Sequence, residues 1–466
     1  MKWAILLYGL GISGGANVIF EHALYAYKKG VQITFVSKEK KCSDEAAWHK
    51  GTEKFIYKTI DEAEKENYDV VIATEWRSAF DACSLKARKY IYFVQSIESR
   101  FYQDQKSLLA YVANNSYEID FNYITEASWI QKYLKRYYNK NAVLVHNGMN
   151  KDVFNANGRS LESRNKSECR ILVEGSVNNW LKNVPRTIEL CQSAGANEIW
   201  LVTPDEIKDY PGVNRVFSQV PFDRMPEIYR SCDILVKLSL VEGMFGPPLE
   251  MFHCGGTALT YNIEGAEEYL IDGYNSIVVE KGDEEKVITS LKEIIHNTVE
   301  MNTLKENAMK TADNWIDWND SCEKFWKAIM QFPDMSKEQI ENIKNKGEAG
   351  AYAYRLIENT FGSEANRKRI EEAVEILKKS DKQVYIYGAG YFCRNSIWQF
   401  DGLGQVIDGI IVSDTNTNPK AILGHQVYAI DEMVAEKDNI YIFISSDKYR
   451  DEIISIIKDK GFKYYV

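Results

Sequence analysis

Glu242 and Glu250 bracket the segment Gly243-Met-Phe-Gly-Pro-Pro-Leu249, with seven residues between them. Carboxylate oxygens accept hydrogen bonds and donate none, so such a pair suits the hydroxyls of sugars. The segment between them has a different chemistry. An apolar run, Asp233-Ile-Leu-Val-Lys-Leu238, enters it and reads as a buried parallel strand. Gly243 and Gly246 shape a loop, Pro247-Pro248 suits the first turn of a helix, and Gly255-Gly256 stops that helix after His253. Strand, glycine loop and helix N-terminus together favour an anion, because backbone N–H groups and the helix dipole point at it and glycine permits its close approach. An anion cradle between two carboxylates implies a ligand with a diphosphate centre and sugar at both ends, as in a nucleotide-sugar. Glu250 is expected in the first helical turn, facing the same crevice. The plainer reading is that a Glu near a helix start complements the dipole and does nothing else.

The wider stretch from Val241 to Asp283 resembles the donor-site signature of retaining family 4 glycosyltransferases of the GT-B fold. Ser239, Glu242, Gly243, Gly246, Leu249, Glu250, Gly255, Glu268, Asp272, Gly273 and Asn275 supply that pattern in order. The resemblance implies two Rossmann-like domains facing across a cleft. It gives Glu250 the nucleoside ribose, and gives Glu242, with Gly243 and the backbone of Met244, Phe245 and Gly246, the donor sugar. The backbone near Val220 falls where family members contact the base. Lys182 falls at, or within one residue of, the family's lysine that holds the donor diphosphate. Ser176 stands where the family has an arginine, and Arg186 or the amides of Asn178 and Asn179 are candidates to replace it. After the first strand, Gly14-Gly15 resembles the family loop that meets the diphosphate or acceptor from across the cleft; a tight turn is the alternative. Tyr92-Phe-Val-Gln-Ser-Ile-Glu98 resembles a segment of surface-glycan rhamnosyltransferases in the same family. Gln95 there replaces a frequent histidine: its amide positions an acceptor but is no base. Val145-His-Asn-Gly148 resembles the family's hinge into the second domain.

The 466 residues allow two to four domains. With 45% hydrophobic and 27% charged residues the composition is that of an ordinary globular protein. No apolar run approaches a membrane span, and Met1-Lys-Trp-Ala-Ile-Leu-Leu leads into a glycine loop, so it reads as a first strand. The eight cysteines are scattered, as are the six histidines, which gives no disulfide or metal pattern and suggests a reducing cytoplasm. No Asp-x-Asp clamp occurs, so neither metal nor cofactor is expected. The net charge of −10 argues against general nucleic-acid binding. Residues 1–150 alone carry net +3, leaving −13 for the rest. That asymmetry is compatible with a lipid-linked acceptor and a peripheral contact with the inner face of an anionic membrane, and equally with chance variation.

The elements that must position these residues follow in order. Strands are expected at 3–8, 32–36, 69–73, 90–94, 122–125 and 142–145, and helices at 16–27, 77–86 and 128–138, the pattern of an open α/β sheet. The Ser128–Tyr138 helix is amphipathic with a basic face. A second series has strands at 170–173, 198–202 and 214–218 and helices at 225–230, from Asn262, at 283–296 and at 314–331. The last of these, rich in Trp, would cross back onto the first domain. The domains read as 1–150 (acceptor side), 151–335 (donor side), a helical connector 336–380, and a small Rossmann-like module 381–466. In that module Gly388-Ala-Gly390 and Asp414 make a partial dinucleotide fingerprint, with Cys393 at the third glycine position. The expected activity is metal-independent, retaining transfer of a hexosyl or deoxyhexosyl group from a nucleotide-sugar to a glycan or lipid-linked acceptor. The alternatives are a non-catalytic GT-B partner subunit and a nucleotide-sugar epimerase on the same fold.

Overall fold

The computed structural model describes residues 1–39, 41–102, 108–164, 168–361, 364–389, 393, 396–397, 400, 406–416, 418, 420–445 and 449–466. The chain divides into two compact units, residues 1–103 with 113–348, and residues 349–466 with 104–112.

The first unit contains two wholly parallel sheets. The first sheet comprises β1 (Lys2–Leu6), β2 (Gln32–Ser37), β3 (Ile56–Thr59), β4 (Asn67–Ala73), β5 (Lys86–Val94), β6 (Asn122–Thr125) and β7 (Ala142–Leu144), ordered β3-β2-β1-β4-β5-β6-β7. The second comprises β8 (Arg170–Glu174), β9 (Glu198–Thr203), β10 (Arg215–Ser218), β11 (Ile234–Lys237), β12 (Thr257–Asn262) and β13 (Ile277–Glu280), ordered β10-β9-β8-β11-β12-β13. Ala4 to Leu6, Val70 to Ala73, Tyr90 to Val94 and Ile234 to Val236 are buried without alternation. Strands of a parallel sheet covered on both faces require that. Both sheets change direction beside a central strand, so their carboxyl edges open onto a crevice.

The helix Trp318–Gln331 leaves the second sheet and packs on the first. Trp326 stacks on Trp3 with ring centres 5.4 Å apart, and Phe325 on His22 at 4.1 Å. The sequence reading began this helix at Asn314. In the structure one helix, Thr298–Asn314, ends there and another starts at Trp318, because Asp317 caps it by accepting from the Asp320 N–H at 2.8 Å. Three further expectations are corrected. The helix assigned to 77–86 is Trp76–Ala82, and Lys86 already belongs to β5. β3 escaped notice as a four-residue, half-buried edge strand without clear alternation. The helix expected from Asn262 is a single 3-10 turn, Ala266–Glu268, entered through Gly265 at φ +89°.

In the second unit β14 (Gln383–Tyr387), β15 (Gly409–Val412), β16 (Ala421–Ile422), β17 (His425–Ala429) and β18 (Ile440–Ile444) form a sheet ordered β16-β17-β15-β14-β18. Only β16 runs antiparallel to its neighbour. Gly388 follows β14 at φ +110°; Gly390 lies outside the described residues. The Asp414 carboxylate accepts from the Asn416 N–H at 2.9 Å, closing a turn. The helices Lys337–Phe361 and Glu364–Lys378 precede this sheet, and the division between units falls within the first. No helix among the described residues is long and apolar enough to cross a membrane.

Candidate functional site

β11 ends at Lys237, a loop follows, and the helix Gly246–His253 begins with its prolines in the first turn. Phe245, Leu249, Met251 and Phe252 are buried and fix the helix against the second sheet. Gly255, at φ +76°, lets the chain turn out after Cys254. The first turn holds no acidic residue, so Glu250 lies past the turn in which the sequence reading put it.

The charges at this loop are paired with one another. The Lys182 ammonium donates to both Glu242 oxygens at 2.9 Å, across 60 residues of sequence. The buried Lys237 donates to the Glu174 carboxylate and to its carbonyl at 3.0 Å, and its Nζ lies 4.0 Å from Glu242 Oε1. The Tyr229 hydroxyl donates to Glu250 Oε2 at 3.0 Å. Burial works against ionisation of Glu242, but Lys182 and Lys237 outweigh it and hold the carboxyl below its usual range. Glu250 goes the other way. Burial first, then the neighbouring Glu174, raise it to about 7. A carboxyl raised on folding contributes stability below its unfolded value and loses it as pH rises through the folded one. Glu250→Gln is therefore expected to gain in melting temperature relative to the native chain between pH 5 and pH 8, by about 2 °C or more, as read by calorimetric scans at the two pH values.

The other expected phosphate partners are engaged elsewhere. Ser176 donates its hydroxyl to both Asp205 oxygens at 2.9 Å, and Asp205 also accepts from the Val177 N–H. Arg186 points outward and pairs with Glu284 and Glu189, so it does not replace the missing arginine. The Asn179 side chain accepts from Leu181 N–H, and Asn178 donates its N–H to Ser176. Val220 packs against the core of the second sheet just beyond β10.

From the first sheet, Ser13 caps the helix Gly14–Lys28 and puts Gly14-Gly15 at its start. The Gln95 amide donates to Gly15 O at 3.2 Å. A Cβ on Gly243 would stand 2.0 Å from Gln95 O. Gly15, Gln95 and the Gly243 loop thus meet at the throat of the cleft. A Cβ added at Gly14 or at Gly246 would have nothing within 4 Å of it.

Several residues at this throat were not singled out as site residues from sequence. Glu126, at the end of β6, accepts from the Met244 N–H at 3.1 Å and from the Asn147 amide at 2.9 Å. Burial raises its carboxyl to about 7, against the hydrogen bonds it accepts. The Trp129 indole donates to Gly243 O at 2.9 Å. Glu268 accepts from the Ser128 N–H at 2.5 Å and bonds His146 Nε2 at 2.7 Å. The available signal was a polar residue at the carboxyl end of a parallel strand, where ligands of open α/β sheets bind.

Two facing Rossmann-like halves with an acid-flanked helix N-terminus between them define the GT-B class. Solved GT-B structures superpose on 71% of this chain while matching essentially all of their own: HepE of Anabaena in complex with UDP-glucose (TM-score 0.57, 14% identity, 100% of that chain) and WaaG, a glycosyltransferase involved in lipopolysaccharide biosynthesis (0.56, 15%, 100%). Residues 207–311, which carry the loop and Glu250, match the family described as glycosyl transferases group 1. An uncharacterized glycosyltransferase of Methanocaldococcus jannaschii is 27% identical over 111 residues, 24% of this chain and 28% of that protein. The match therefore spans little more than a quarter of that relative.

Proposed function

We propose that the protein is a retaining, metal-independent glycosyltransferase that moves a hexosyl or deoxyhexosyl group from a nucleotide-diphosphate sugar to a glycan or lipid-linked acceptor in surface-glycan synthesis. The observation that carries this reading is the joining of Lys182 and Glu242, at 2.9 Å, beside the N-terminus of the Gly246–His253 helix, with Glu250 in the same charge cluster. The group 1 match over this segment and the UDP-glucose in the Anabaena protein support it. In this reading the diphosphate enters at the helix N-terminus, and Lys182 exchanges Glu242 for a phosphate oxygen. Glu242 then takes donor-sugar hydroxyls, Glu250 the ribose, and the backbone near Val220 the base. The Met244 N–H is held by Glu126, so the loop serves the donor through Phe245 and Gly246. The anomeric C–O bond to phosphate breaks, the acceptor oxygen bonds on the same face, and the leaving phosphate takes its proton. Fixed dipoles and the lysine stabilise the leaving charge. Gly14 and Gly15 meet the donor diphosphate from across the cleft, and Gln95 lines the acceptor side. The protein acts in the cytoplasm, with its basic first-domain helix available to an anionic membrane.

A thermal-shift panel of UDP-, dTDP- and GDP-sugars tests the donor assignment, because a ligand bound only by the folded state raises its stability by about 2.7 kcal/mol at a hundred times Kd. One nucleotide class is expected to raise the melting temperature; no response to any of them would overturn the reading. For the responding donor, calorimetry is expected to show at least tenfold weaker binding to Glu250→Ala. The engagement of Ser176 with Asp205 favours a second reading, a GT-B partner subunit without turnover that binds glycan or another transferase. Nucleotide release measured with and without a lipid-linked acceptor separates the two.

A further inference from the structure

Across the throat of the cleft the two halves of the first unit exchange carboxylates. Glu126 belongs to the first sheet and accepts from Met244 N–H on the second side at 3.1 Å. Glu268 belongs to the second side and accepts from Ser128 N–H, at the start of a first-side helix, at 2.5 Å. Each carboxylate bonds a hinge residue with its other oxygen. These are adjacent in the chain: Asn147 donates to Glu126 at 2.9 Å, and His146 bonds Glu268 at 2.7 Å. The hinge carbonyls are fixed too. Ser321 donates to His146 O at 2.6 Å, and the Trp315 indole to Asn147 O at 2.9 Å.

We propose that Glu126 and Glu268 are positioning residues that work as one latch, holding the donor loop at Gly243-Met244 against the first domain and tying that contact to the hinge at His146-Asn147. A carboxylate that accepts a backbone N–H makes a charge-assisted bond, stronger than a neutral one. Both N–H groups lie on the opposite domain from the carboxylate they bond. A rotation about 146–147 therefore breaks both together, and the loss of either carboxylate loosens the closed form as a whole. The donor loop is closely seated on its own side, and one more bond reaches it from the first side. Gly265 approaches Gly243 O so closely that a Cβ there would lie 2.3 Å from it, and the Trp129 indole bonds that same oxygen. The consequence for the donor loop rests on the function proposed above; the mechanical coupling does not.

Hydrogen exchange by mass spectrometry on the full chain tests the coupling, reading the peptides that carry Met244 and Ser128. In Glu126→Ala and in Glu268→Ala, both peptides are expected to exchange at least tenfold faster than in the native chain, while β11 and β12 stay protected. Glu126→Gln and Glu268→Gln keep an acceptor oxygen and are expected to restore much of the protection. Deprotection confined to Met244 in the first variant and to Ser128 in the second, or none, would overturn the latch. Should an Ala variant be deprotected throughout, Trp129→Phe, which removes the indole bond across the same contact, decides on the same criterion. Adding UDP is expected to slow exchange at both peptides in the native chain and less in the variants. Coupled exchange without any nucleotide binding would leave the latch standing and remove the donor reading; nucleotide binding with uncoupled exchange would do the reverse.

Discussion

Lys182→Ala is expected to lower affinity for the nucleoside diphosphate selected by the thermal-shift panel by ten- to a hundredfold, while affinity for the corresponding nucleoside changes less than about threefold. A hydrogen bond to a charged group contributes about 1.5–3 kcal/mol, and each 1.4 kcal/mol is about tenfold in affinity. Other cations near the site are committed: Arg186 to Glu284 and Glu189, and Lys237 to Glu174 within the buried wall of the site. The variant also strips Glu242 of its closest partner, leaving Lys237 at 4.0 Å, and breaking a buried pair is destabilising by up to about 3–5 kcal/mol. Lys182→Ala with Glu242→Gln removes both charges and separates that effect from the loss of the phosphate contact. If the double variant regains stability but not diphosphate affinity, the lysine acts on phosphate. Calorimetry with diphosphate and nucleoside on the native, single and double variants gives the comparison. Equal loss for both ligands would show that the pocket has collapsed instead.

The sequence made the frame of this site legible because the frame is local. β11, the glycine loop and the Pro247 helix lie within twenty-odd consecutive residues, and each carries its own signal: unbroken apolar burial, loop glycines, prolines at a helix start. Most β-strands of both parallel sheets were visible for the same reason; the half-buried β3 was missed, and β12 and β13 were given no range. What stayed hidden is what depends on distant partners. Glu126 meets Met244 across 118 positions and Glu268 meets Ser128 across 140. Glu126 had no motif around it, and Glu268 looked like one more member of a signature. Ser176 illustrates the converse. Its type announced a missing cation, but only the fold shows that the hydroxyl belongs to Asp205. Gly243 read as a glycine that admits a phosphate. The structure gives it another reason to lack a side chain.

That reason yields the second large effect, expected for Gly243→Ala. The added Cβ would stand 2.0 Å from the Gln95 carbonyl oxygen and 3.0 Å from Glu126 Oε1. The carbonyl is backbone at the end of β5 and cannot swing aside as a long side chain would. The loop cannot retreat in the other direction either, because Gly243 O is already against Gly265 and held by the Trp129 indole. Something must shift, at a cost of about 1–3 kcal/mol for an overpacked methyl group. The cheapest shift is separation of the loop from the first domain, which breaks the Glu126–Met244 contact. Gly243→Ala is therefore expected to lower the melting temperature by several degrees and, on the function proposed above, to reduce donor turnover at least a hundredfold, because the loop proposed to hold the donor no longer meets the first domain. Gly246→Ala, three residues on, adds a Cβ with nothing within 4 Å and is expected to keep native stability. Scanning calorimetry and nucleotide release on the two variants check this. Equal stability and turnover in both would mean that the two domains do not close on Gly243, and that its glycine serves the ligand alone.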